Sequence, residues 1–312
     1  MTPRQAGMLA GLALLWGSSY PLIKYALESF SPGEIVFLRG LLGTATLVLF
    51  VRGGGPQTRA AVRAIAARPR RALAFGTVAI ALPFLLISYG ELAVPAGLTA
   101  ILVAPAPIFA IVLGRAFEPG TPVLPAQVAG VALGFLGVAL VVGVESISTV
   151  GEFLGGLGMV GAAACYAASG FVVRRWYPGV PSPATSLAAV AVTTALTLPL
   201  GVATANWTAP TAEALAAIAV LGAGGTALAF VIMFRLYAEV GPQKATLVGY
   251  LIPPVSLAWG IIALGEDLTV AAGAGLVLIL GGVALAASRR SAHTGPEEAL
   301  ALDAGAEPPA DS

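Results

Sequence analysis

Trp16, Ser19, Tyr20 and Lys24 stand at positions i, i+3, i+4 and i+8 of one apolar run, so an α-helix carries all four on one face. Pro21 lies among them and removes one backbone hydrogen bond. A polar, aromatic stripe on such a helix faces a partner or a cavity rather than lipid. Arg39 follows in the next run. Ser31, Pro32 and Glu34 carry the signature of a capped helix start, with Pro32 as the first helical residue. Arg39 then lies about 10 Å along that helix. A guanidinium at that depth costs at least about 2.5–3.5 kcal/mol on insertion scales. Carbonyls freed by Pro21, the carboxylates Glu28, Glu34 or Glu91, or an anionic group of a substrate in a cavity offset that cost, and all three stay open. For Lys24 the alternative is an interface anchor whose long stem snorkels to water.

Two further runs contain proline pairs, Pro105 with Pro107 and Pro253 with Pro254. They are expected to break their helices at matching places in the two halves of the chain. Interrupted helices so placed point to a transporter site, where freed carbonyls accept from an ammonium or hydroxyl group. An ordinary kink is the alternative. Tyr89, Tyr166, Tyr250 and Trp259 are the aromatics near these breaks, and Thr246, Tyr250 and Pro253 share one helix face.

The elements that position these residues are set by composition. Of 312 residues, 58% are hydrophobic and 10% charged, too few charges for a water-soluble surface. Residues 5–23, 72–90, 92–114, 119–144, 153–173, 214–234, 245–265 and 268–288 are uncharged gaps of 19 to 26 residues. A helix needs about 20 apolar residues to cross a bilayer. A span near 184–204 and another over 35–51, interrupted by Arg39, bring the expectation to ten. The runs are continuous rather than alternating, which favours helices over a barrel. With the N-terminus inside, 14 of the 16 Lys and Arg fall in cytoplasmic loops and ends, leaving only Lys24 and Arg39. The first run reads as a span, not a cleavable signal. Residues 52–71 read as a basic cytoplasmic loop that acts as a topology signal, not as a nucleic-acid site. Residues 289–312 read as a disordered cytoplasmic tail.

The chain repeats itself. "AGVALGFLGVALVV" (129–142) aligns with "AGLVLILGGVALAA" (274–287). Pro95, Thr99 and Pro107 match Pro242, Thr246 and Pro254, while Ser19 and Lys24 match Ser169 and Arg174. The expected fold is an all-α membrane protein of ten transmembrane helices as two inverted five-helix repeats, over 7–144 and 152–288. An odd helix number per repeat inverts the second half and sets the substrate site between halves. The small-residue motif Gly130–Gly134 and the Gly281–Gly282 pair suit close helix packing, within one chain or across a dimer.

"LLWGSSYPLIKYALESFSPGEIVFLRG" (14–40) and "ELAVPAGLTAILVAPAPIFAIVLG" (91–114), with Glu118 and "QVAGVALGFLGVALVV" (127–142), resemble an EamA-type half of the drug/metabolite transporter superfamily. "EVGPQKATLVGYLIPPVSLAWGIIALGED" (239–267) and "AGAGLVLILGGVALAA" resemble it again. "CYAASGFVVRRW" (165–176) matches the opening segment loosely. The resemblance implies a ten-helix exporter or exchanger of small metabolites and makes an arginine at position 39 typical.

No GxxxxGK[ST] is present, so the chain itself binds no ATP by a P-loop. The one histidine, His293, lies in the tail, and the aspartates are Asp267, Asp303 and Asp311. Intramembrane serine and aspartyl protease chemistry is thereby excluded, and no enzyme is expected. One cysteine, Cys165, allows no disulfide within the chain and no thiolate cluster. Neither cofactor nor metal is expected. The partners are a lipid bilayer and a small molecule, with no nucleic acid, and the oligomeric state stays open, a monomer included. The expected activity is secondary transport of an amino acid or related carboxylate across the cytoplasmic membrane, with both termini cytoplasmic. An exporter of drugs or cationic toxic compounds is the alternative, although no acid is expected deep in any span. A structural or sensor protein is a further reading.

Overall fold

The computed structural model describes residues 2–117, 125–143, 149–206, 208–265, 267 and 270–287. The expectations for Glu118, Glu266 and the tail 289–312 lie outside the described residues, as does the Tyr250 side chain.

In order, the helices are α1 (Pro3–Gly17), α2 (Ser19–Leu27), α3 (Pro32–Gly53), α4 (Pro56–Ala66), α5 (Pro69–Gly76), α6 (Leu82–Gly90), α7 (Ala96–Val103) and α8 (Ala106–Phe117). Then follow α9 (Pro125–Gly143), α10 (Val150–Trp176), α11 (Ser182–Ala203), α12 (Ala212–Val220), α13 (Ala229–Val240), α14 (Pro242–Ala245), α15 (Val248–Leu264) and α16 (Val270–Ala287). π-helical segments join α5 to α6 at Thr77–Ala81 and α12 to α13 at Leu221–Leu228. The protein is an all-α, multi-pass membrane protein. Among the described residues seven helical stretches are long and apolar enough to cross a membrane, from Pro3–Leu27 to Ala212–Val240.

Local chemistry explains the helix starts. Ser31 Oγ accepts from the Glu34 amide at 3.2 Å, and Glu34 Oε2 accepts from the Ser31 amide at 2.8 Å, closing the capping box that starts α3. Thr2 with Gln5 and Thr149 with Glu152 cap α1 and α10 in the same way. The first span bends at Ser18, because Pro21 has no amide hydrogen for the Gly17 carbonyl.

Two expectations are corrected. Residues 52–71 are not a loop, because Pro56–Ala66 forms α4, with Ile65 buried against the bundle. Pro253 and Pro254 do not break their helix. They lie inside a continuous α15, and the interruption falls earlier, between α14 and α15 at Thr246–Leu247. Each proline there costs a single early-helix bond, to the carbonyls of residues 249 and 250, while the Gly249 amide reaches the Thr246 carbonyl at 2.9 Å across the turn. The fourth span is interrupted at Ala104–Pro105, between α7 and α8.

Small residues set the closest packing. A Cβ on Gly282 of α16 would lie 2.5 Å from the Gly134 amide nitrogen and 2.6 Å from the Gly130 carbonyl oxygen of α9. The glycines of both motifs thus serve contact within the chain. Arg4 and Gln5 of α1 meet Glu239 of α13 at 3.7 and 3.4 Å, which brings those helix ends to one end of the bundle. At the other end Asn206 donates its amide to Glu34 Oε2 at 3.0 Å, and Ser31 pairs with Thr204 at 2.7 Å.

Candidate functional site

Arg39 is buried, 2% exposed, on α3. Its hydrogen bond and its ring contact come from residues not among the expected partners, while Glu91, one of those expected, acts on it electrostatically. Its Nε donates to Thr226 Oγ1 at 3.1 Å, and its guanidinium lies 3.7 Å over the centre of the Phe84 ring. A hydroxyl and an aromatic face compensate part of the desolvation and leave the positive charge unneutralised at those contacts. Thr226 belongs to the π-helical Leu221–Leu228 segment. Such segments disturb the regular hydrogen-bond ladder and recur at functional sites.

The same segment meets α1 and α2. Trp16 Nε1 donates to the Gly225 carbonyl at 3.1 Å. A side chain at 225 would press on Ser19 Oγ at 2.7 Å and approach Arg39 Nη2 at 3.7 Å, so glycine is what lets three candidate residues converge. Trp16 stacks on Tyr166 of α10, with ring centres 5.8 Å apart, and meets Phe230 edge-on at 5.5 Å. The Tyr166 carbonyl accepts from Tyr237 Oη and from Ser169 Oγ, each at 2.8 Å, which ties α10 to α13.

These groups border an internal cavity of about 40 Å³. That is room for about three water molecules. Trp16, Ser19, Tyr20, Arg39, Tyr166 and Thr246 line it, with apolar residues of α6, α7, α13 and α15. Both helix interruptions reach it, through Ala104 and Ala106 on one side and Thr246 and Val248 on the other. A Cβ on Gly249 would lie 3.1 Å from the Ala104 carbonyl oxygen, so the two breaks abut.

The remaining candidates lie elsewhere. Lys24 is on α2 but not in the cavity wall, because its Nζ donates to the Glu91 backbone carbonyl. Of the two cations Lys24 and Arg39, only Arg39 lines the cavity. Glu91 is 1% exposed, but it stands at the C-terminal cap of α6, where the chain turns, not within a span. Thr99 is buried and bonds to the Pro95 carbonyl at 3.0 Å, and Ser169 stays one layer behind Tyr166. Trp259 and Tyr89 are 47% and 42% exposed on the outside of the bundle. Among the described residues no group of His, Cys, Asp and Glu is placed to hold a metal ion. Thr226 and Gly225 were missed in the sequence, although the glycine-rich "GAGGT" within an apolar run was a signal; Phe84 and Met233 gave none.

The EamA-like transporter family model matches residues 5–143 and 153–288, nearly the whole described bundle. The chain belongs to the EamA-like transporter family. Among curated relatives of this EamA-like chain, a probable terminal-alkyne amino-acid exporter of Streptantibioticus cattleyicolor is 28% identical over 256 residues, 80% of this chain and 82% of the relative. The uncharacterized transporter YvbV of Bacillus subtilis is 27% identical over 302 residues, 93% of each chain. A solved crystal structure, 19% identical, superposes with a TM-score of 0.70 over 92% of this chain and 97% of its own, a likeness of fold alone. The family and these relatives are transporters, not enzymes, and this EamA-like protein is a membrane transporter.

Proposed function

We propose that this EamA-like protein is a secondary transporter that moves a small amino acid or related carboxylate across the cytoplasmic membrane by alternating access. The observation that carries the reading is Arg39: a buried guanidinium on the cavity whose contacts are a hydroxyl and a ring rather than a carboxylate. A substrate carboxylate completes its charge and hydrogen-bonding capacity, while the apolar wall accepts the rest of a small solute. The S. cattleyicolor relative, described as an amino-acid exporter, supports the same class.

We further infer ten crossings in two inverted repeats, 7–144 and 152–288, with both termini cytoplasmic. In support, α1 packs on α15 as α10 packs on α7 and α8. The first span packs on α12 and α13 as α10 packs on α6. α3 packs on α11 and α9 on α16 across the centre, and a π-helical segment recurs in the third and eighth spans. The arginine distribution supports the orientation.

The test is counterflow in proteoliposomes with labelled amino acids, organic acids and organic cations, for wild type and Arg39→Gln. Exchange of a carboxylate, lost in Arg39→Gln at normal insertion, is expected. Unchanged transport by the variant makes Arg39 structural. Movement of cations alone replaces this reading with a cationic-drug exporter.

A further inference from the structure

The basic stretch 52–71 does not line the cavity, and between the end of α3 and the start of α5 it takes no part in a crossing. α4 is 11 residues long, about 16 Å, too short to span a bilayer. Its inner side, Ala61, Val62 and Ile65, packs on the core, held against α3, α5 and α11. Its outer side and its flanks expose Arg52, Arg59, Arg63, Arg68, Arg70 and Arg71. No Asp or Glu occurs between Glu34 and Glu91, and among the described residues none of the six is ion-paired to a carboxylate.

A topology signal requires only that these charges remain on one side. The packing does more. Arg59 and Arg63 are one helical turn apart, and Arg59 Nη1 donates to the Arg52 backbone carbonyl at 3.5 Å, which ties α4 to the end of α3. Like charges at i,i+4 repel weakly, which an anion between them relieves. Beside the patch, Leu49 and Phe50 at the end of α3 and Leu73 of α5 are exposed apolar side chains, as acyl chains require. Exposed arginines next in the chain to exposed apolar side chains suit an anionic phospholipid, headgroup on the guanidiniums and tails on the leucines and phenylalanine.

We propose that α4 and its flanking arginines form a binding site for anionic phospholipid, with Arg52, Arg59 and Arg63 holding the phosphate. Arginine suits it because its planar fork makes paired contacts to phosphate oxygens. The site is independent of the substrate reading and of which leaflet it faces.

The experiment uses the full chain in nanodiscs of phosphatidylcholine mixed with phosphatidylglycerol, with retained lipid measured by mass spectrometry after purification. Wild type is expected to retain phosphatidylglycerol preferentially. The Arg59→Gln, Arg63→Gln pair should lose about tenfold of that preference, the screened attraction of two arginines to an anionic surface. The Arg59→Lys, Arg63→Lys pair keeps the topology charge and should bind several-fold more weakly than wild type. Equal retention by wild type and the glutamine pair overturns the proposal. Equal retention by the lysine pair reduces the site to diffuse charge attraction and overturns it as well. Displacement of the lipid by a soluble oligonucleotide makes the patch a polyanion surface instead.

Discussion

At the scale of single residues, Arg39 owes its orientation to Thr226, 187 positions away in the chain. A hydrogen bond to a charged group contributes about 1.5–3 kcal/mol. Thr226→Ala is therefore expected to raise the KM for a carboxylate substrate by about tenfold or more. Thr226→Ser, which keeps the hydroxyl, should restore it; counterflow at varied substrate concentration separates the two. Gly225→Ala is expected to lower transport at normal expression, because its Cβ would lie 2.7 Å from Ser19 Oγ and displace that hydroxyl. Thermal melting of the purified variant distinguishes a distorted site from a lost fold. Arg39 itself was legible as anomalous, since a charge so far along an apolar helix demands compensation. Its partners were not, because no local pattern links a hydroxyl and a phenylalanine from two other spans to it.

At the scale of elements, proline and glycine act according to their surroundings. Pro21 sits in the last third of the first span, which is interrupted at Ser18. Pro253 and Pro254, near the start of α15, are absorbed by a helix whose preceding turn at Thr246–Leu247 already supplies the interruption. Hydropathy and spacing alone do not separate these outcomes. The glycines of α9 and α16 were readable as packing residues, while the choice of each other as partners came from the bundle. Gly282→Val is expected to destabilise the protein by about 1–3 kcal/mol through overpacking against the α9 backbone. A lowered midpoint in detergent melting checks it, with no change expected in the KM of the remaining folded protein. Residues 52–71 lack a long apolar run and so read as a loop. The short α4 forms because Ala61, Val62 and Ile65 find an apolar surface on neighbouring helices.

At the scale of the whole molecule, the proposed orientation puts Arg4, Arg71, Trp176 and Glu239 on the cytoplasmic side and Ser29, Thr204 and Thr211 on the other. Contacts bring the first set together at one end, with Arg4 on Glu239 and Arg71 over Trp176. Ser29 Oγ accepts from the Thr211 amide at 3.1 Å at the opposite end. In a Cys165→Ser background, a cysteine at 208 is expected to react in intact cells with a membrane-impermeant thiol reagent. A cysteine at 57 should react only after permeabilisation. The reverse pattern inverts the orientation.

Sequence alone determined that the chain lives in a bilayer and is helical there, because lipid offers backbone polar groups no other partner and tolerates few charges. It also exposed the internal duplication and the family resemblance, both carried by linear order. Tertiary structure decided which candidates converge. It gathered Trp16, Ser19, Tyr20, Arg39, Tyr166 and Thr246 on one cavity, sent Lys24 to Glu91, and left Trp259 and Tyr89 on the outside. The physical reason is that helix rotation and pairing follow from small-residue packing and hydrogen bonds between distant spans, and these leave no periodic trace in a uniformly apolar chain.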